Sequence, residues 1–140
     1  MVTYTTGQNW NTLKMYKHIY SKVLIMKIVI DYKLKNWNEI INTNRRNRYA
    51  GANEKKKESR IVMMYLLGVK PIKNYPVKLD CTWHVSNLNS DLDNKSLKVC
   101  LDTMQNMGIL ENDNIKHISS ICHTAIKDEK DYLEIEVIEI

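Results

Sequence analysis

The chain has 140 residues, 44% of them hydrophobic and 26% charged, and carries a net charge of +5. These proportions exclude a disordered or fibrous chain, and the length suits one domain with its own hydrophobic core. The basic balance points to an anionic polymer as partner and is silent on fold.

Residues 1–25 are polar, sprinkled with aromatics and without a clean period, and read as a variable extension ahead of a domain spanning 26–140. The apolar run Val23-Leu24-Ile25-Met26 is broken by Lys27. It is too short for a membrane span and lacks a small-residue cleavage site, so the expected compartment is the cytoplasm. Met26–Lys33 reads as a strand, with Ile28, Ile30 and Tyr32 on one face.

Asn36 to Asn53 reads as a loop, followed by a helix from Glu54 that stops at Gly68. The first half of that helix is basic and the second half, Ile61–Leu67, is expected to be buried. Between Asn44 and Arg60 seven Lys or Arg stand against two Glu. Two readings of this run stand side by side. It is a solvated helix face, or Arg45, Arg46, Arg48, Lys55, Lys56 and Lys57 form a surface that grips phosphates.

Val77 to Ser86 alternates strictly, with Leu79, Cys81, Trp83 and Val85 on one side and Asp80, Thr82 and His84 on the other. The pattern predicts a strand with one buried face and places His84 on the surface. The period changes from Asn94 to Met107, where Leu97, Leu101 and Met104 mark a helix ended by Gly108. Lys98 and Asp102 lie on its outer face, in position to pair at i,i+4. An acidic loop, Ile109–Asn114, precedes an irregular strand with a bulge over Ile115–Lys127. A turn at Lys127–Lys130 then leads to a last strand through Leu133, Ile135 and Val137. The order is β-α-β-α-β-β, a single α/β (α+β) domain with a mixed sheet, closed by a hairpin.

Three cysteines, Cys81, Cys100 and Cys122, are odd in number and widely spaced. They read as reduced thiols. Cys81 with His84, and Cys122 with His123, raise a zinc site, but no second pair has finger-like spacing.

Asp91 and Asp93 stand at the boundary between the alternating strand and the next helix. An Asp there caps exposed backbone N–H groups, which explains one acid better than two. The other explanation is a metal site. Clustered carboxylates repel unless a cation joins them, and hard oxygen donors suit Mg²⁺ or Mn²⁺. With a helix of fourteen residues, Asp113 barely reaches back to the pair within one chain, and a two-fold partner supplies it more easily.

Ser90-Asp-Leu-Asp-Asn94, Lys98, Leu101-Asp102 and Gly108-Ile-Leu-Glu-Asn-Asp113 together resemble the RusA family of Holliday-junction resolvases, found largely in phages and prophages. Asn38-Glu-Ile-Ile41, Asn44-Arg-Arg-Asn-Arg-Tyr-Ala-Gly-Ala52 and the lysine cluster resemble its amino-terminal part. The resemblance covers roughly 26–140. It implies a homodimeric, Mg²⁺-dependent endodeoxyribonuclease that nicks branched DNA, the four-way junction, in recombination and repair, with no small-molecule cofactor. Carried over, Asp91, Asp93 and Asp113 are the metal-binding acids and Lys98 the essential lysine.

Two departures from the family pattern bear on this. The lysine lies one residue further from the acids than in the best-known member, which makes Lys95 a rival. The acidic loop offers Asp113 alone where many members have two aspartates. Two other readings stand beside the resolvase: a non-catalytic basic DNA-binding module, and a metal-dependent nucleotide hydrolase.

Overall fold

A computed structural model describes residues 23–140. Expectations for residues 1–22 lie outside the described part. The elements are β1 (Val23–Ile30), α1 (Trp37–Arg46), α2 (Arg48–Leu66), β2 (Val77–Val85), a 3₁₀ turn (Leu92–Asn94), α3 (Lys98–Asn106), β3 (Ile118–Lys127) and β4 (Tyr132–Glu139). The single-domain α+β class expected from sequence is the one observed, with a helix more than expected.

The four described strands form one mixed sheet in the order β1-β4-β2-β3. β4 runs antiparallel to both β1 and β2, and β3 runs parallel to β2. Side chains line up in rows across the register. Ile28, Ile135 and Cys81 make one row, and Ile30, Leu133 and Trp83 the next. All six are at least 96% buried. Alternation therefore puts one face of three strands into the core, and Val62 and Leu66 of α2 with Cys100 and Met104 of α3 join it. The opposite face is polar, where Lys27 pairs with Glu134 at 3.1 Å.

The expected closing hairpin is not formed. β3 pairs with β2 and not with β4, and the chain passes over the end of β2 to lay β4 on its other side. Parallel strands need a crossover, and α3 provides it between β2 and β3. The expected bulge in β3 is present, because Val77 faces Ile118 whereas Lys78 faces Ser120. β1 begins at Val23 rather than Met26, since Val23 and Leu24 pair with Glu139 and Ile138.

The stretch read as a loop is helical. Asparagine signals turns, but here Asn36 and Asn47 are helix caps. Asn36 accepts from the Glu39 N–H at 2.9 Å and opens α1; Asn47 accepts from the Tyr49 N–H at 2.8 Å and opens α2. α1 and α2 pack closely at Gly51, where a Cβ would stand 2.0 Å from Asn44 Oδ1. The second half of α2 is not wholly buried either. Met64 is 71% and Leu67 70% exposed, because only the stripe Glu58, Val62, Leu66 turns inward. Gly68 and Gly108, at φ +81° and +75°, end α2 and α3 as expected.

His84 also departs from expectation. It lies on the polar face but is only 7% exposed, because Tyr132 of β4 stacks on its ring at 3.8 Å. Its Nδ1 bonds Asp128 at 2.9 Å.

Candidate functional site

The acidic pair is displayed by the 3₁₀ turn. Asp91 has extended backbone (φ −86°, ψ 125°), and the turn closes through Asn94 N–H to the Asp91 carbonyl at 3.2 Å. The helix expected from Asn94 begins only at Lys98, so neither acid sits at its first turn. Asp91 makes no capping bond with its side chain, and the residue before α3 is Leu97. Both acids are exposed, and among the described residues neither carboxylate has a hydrogen-bond or ion-pair partner. The capping explanation fails for both.

The capping group is Asn94, and it serves a different helix. Its Oδ1 accepts from the Asn38 N–H of α1 at 3.1 Å. Sequence reasoning missed this contact, because no local spacing links residues 56 apart. It pins the acid-bearing turn against the start of the basic helical pair.

Lys98, the first residue of α3, pairs with Asp102 at 3.3 Å, which is the expected i,i+4 contact. Asp102 also binds Lys55 of α2 at 3.6 Å, tying two helices together. Lys95 points elsewhere, with its Nζ 5.9 Å from the centre of the Trp83 ring. The two rival lysines thus serve different neighbourhoods.

Asp113 is exposed in the segment after α3, beyond the buried Ile109 and Leu110. Among the described residues no three His, Cys, Asp or Glu side chains form a group able to hold a metal ion. Asp91 and Asp93 share the short turn, and among the described residues of one chain no third acid joins them in such a group. In kind the pair fits Mg²⁺, as hard carboxylate oxygens with no other partner among those residues.

Zinc fits poorly at the cysteine–histidine pairs. Cys81 and His84 lie three apart on a strand and so face opposite sides of the sheet. Burial pushes the Cys81 thiol up to about 12, against the thiolate a metal needs. His123 Nδ1 is already occupied, accepting from the Trp83 indole at 2.9 Å.

The basic residues are spread along the α1–α2 hairpin. Arg45 and Arg46 close α1, where cations suit the helix dipole. Arg48 opens α2, where the dipole disfavours a cation, and no acid lies in that first turn to balance it. Arg45, Arg46, Arg48, Lys56 and Lys57 are exposed and, among the described residues, form no ion pair. Lys55 differs through its bond to Asp102.

Sequence reasoning also missed Glu58. It is 5% exposed and lines the cleft between α1 and α2 together with Lys98. Its position at i, i+4, i+8 with Val62 and Leu66 was the available signal. Among the described residues no helix is long and apolar enough to cross a membrane. Comparison of the chain with protein-family models and with curated proteins finds no match.

Proposed function

We propose that the protein is a Mg²⁺-dependent endodeoxyribonuclease of the RusA type, cutting branched DNA by paired phosphodiester hydrolysis as a homodimer in the cytoplasm. One observation carries this reading. Two exposed carboxylates without partners among the described residues stand on a turn that Asn94 fastens to the basic helical pair. Two exposed carboxylates on one short turn suit a hard cation, and the basic residues of the helical pair suit a phosphate backbone.

Asp91 and Asp93 would hold the metal, and Asp113 of a second copy would complete the set. The ion would supply an activated water and charge stabilisation at the phosphorus. Lys98 neutralises charge developing on the phosphate, while Arg45, Arg46 and Arg48 hold the flanking backbone. A second copy has an apolar face to use, because Met64 and Leu67 project from α2 into solvent.

The test is nicking of a synthetic four-way junction with Mg²⁺, with Mn²⁺ and with EDTA. Wild type should cut only with metal. Asp91→Asn and Asp93→Asn should not cut, yet should bind the junction almost unchanged. Full cleavage by Asp93→Asn would sink the mechanism.

The absence of a three-acid group among the described residues of one chain favours a second reading, a non-catalytic DNA-binding module. That reading requires metal-independent binding and no cleavage under any divalent ion.

A further inference from the structure

The cleft between α1 and α2 has a volume of about 190 Å³ and is walled by Trp37, Ile40, Gly51, Glu58, Lys98 and Val99. Drug-sized ligands occupy sites of about 300–1,000 Å³, so this one has room for a single ring system. Trp37, 41% exposed, offers it a flat aromatic face.

Glu58 is the group the fold does not explain. One carboxylate oxygen accepts from the Lys35 backbone N–H, but Oε2 is buried with no hydrogen-bond partner. Burial raises its pKa, and the attraction of Lys35 does not offset that. A desolvated acceptor left open is costly, and a leucine at this place in the stripe would pack without that cost. The site thus lacks a donor from outside.

The mouth of the cleft adds charge. Lys35 is held by Glu54, and Lys55 and Lys98 are held by Asp102, so three cations are fixed around an apolar slot. Trp37 directly precedes Asn38, whose N–H is bound by Asn94 of the acidic turn. A flat ring with an N–H edge matches the aromatic wall and the open acceptor. The lysines at the mouth, paired as they are, leave room for a neighbouring phosphate only at their exposed ends.

We propose that the cleft receives one unstacked nucleobase carrying an exocyclic amino group, which donates to Glu58 Oε2 while the ring lies against Trp37. The proposal rests on the nucleic-acid reading above and adds a base-reading subsite to it. Adenine, cytosine and guanine offer such a donor. Thymine offers only N3–H, flanked by two carbonyl oxygens that the carboxylate repels.

Cytosine and thymine have the same ring size, so they are the decisive pair. The full-length protein is titrated with fluorescent oligo-dC and oligo-dT, and separately with free dCMP and dTMP. Oligo-dC should bind roughly tenfold to a hundredfold more tightly than oligo-dT, the worth of one hydrogen bond to a charged group. Glu58→Gln should erase that preference while leaving oligo-dT affinity unchanged. In wild type, the Trp37 indole N–H resonance should move with oligo-dC and stay still with oligo-dT, a readout that needs no variant.

Equal wild-type affinity for the two oligomers would overturn the subsite and leave the nuclease reading standing. A preference that survives Glu58→Gln would overturn Glu58 as its reader. Binding of dCMP as tight as that of oligo-dC would overturn the DNA form of the proposal, since the cleft would then serve a mononucleotide. Failure to bind any DNA, with the junction uncut, would overturn both readings.

Discussion

Asn94 and Asn38 lie 56 residues apart, yet the side chain of one holds the backbone N–H of the other at 3.1 Å. The bond satisfies a free donor at the start of α1 and fixes the turn that carries Asp91 and Asp93. Asn94→Ala should cost about 1 kcal/mol of stability, the usual effect of removing a cap. Nicking should fall further than that loss explains, because the acids lose their anchor. Thermal melts beside junction cleavage at a temperature well below the midpoint separate the two effects. Unchanged nicking would mean that the turn is held by other contacts.

The arginines are tested through salt. Each phosphate contact removed should lower the slope of log affinity against log salt by roughly 0.9. Arg45→Ala, Arg46→Ala and Arg48→Ala should each show that change on junction DNA. Arg48→Ala should also slightly stabilise α2, since a cation at a helix start is unfavourable. A slope that does not move would place the DNA elsewhere.

Glu58 gives a pH dependence with a definite sign. Its folded-state pKa lies above the ordinary 4.5, with burial as the leading cause and Glu39 and Glu54 adding to it against Lys35. The folded state therefore holds this proton more tightly than the unfolded state does. The penalty is absent below 4.5, grows as pH rises through the gap to the folded value, and is fully present above it. Glu58→Gln should accordingly gain stability relative to wild type between about pH 4 and about pH 8. Urea melts of both proteins at the two pH values measure it.

Gly51 and Asn44 form a tight contact between α1 and α2. A Cβ on residue 51 would meet Asn44 Oδ1 at 2.0 Å and its Cα at 3.3 Å. Gly51→Ala gains up to about 1 kcal/mol of helix propensity, but overpacking typically costs about 1–3 kcal/mol. The net effect should be a loss. In the double variant with Asn44→Ala part of it should return, with a coupling above about 0.5 kcal/mol. Additive effects would mean that the helices separate instead.

Period-two signals were legible in this chain and coverage was not. Val77 to Val85 alternates because one face is core, and both helix stops are glycines at positive φ. α1 was hidden because its asparagines read as turn signals, although Trp37, Ile40 and Ile41 stand at helical spacing on one side of it. His84 was misplaced because alternation tells which face a residue is on and not what lies over it; Tyr132 comes from a strand far along the chain. The acids were legible as a motif, whereas Glu58, Trp37 and the bond from Asn94 to α1 depend on helices packing together.

The placement of β4 governs when this protein can exist. The last of the four described strands to be synthesised lies between β1 and β2, pairing Val23 with Glu139 and Lys78 with Ile138. Until it leaves the ribosome, β1 has no partner in the sheet and the core rows have no centre. At about 5–20 residues per second the chain therefore spends seconds with its helices made and their platform missing. Such long-range pairing folds late and cooperatively. A message cut short before Tyr132 would leave β2 and β3 to pair only with each other and β1 with no strand beside it, so the acidic turn would never stand on a finished scaffold.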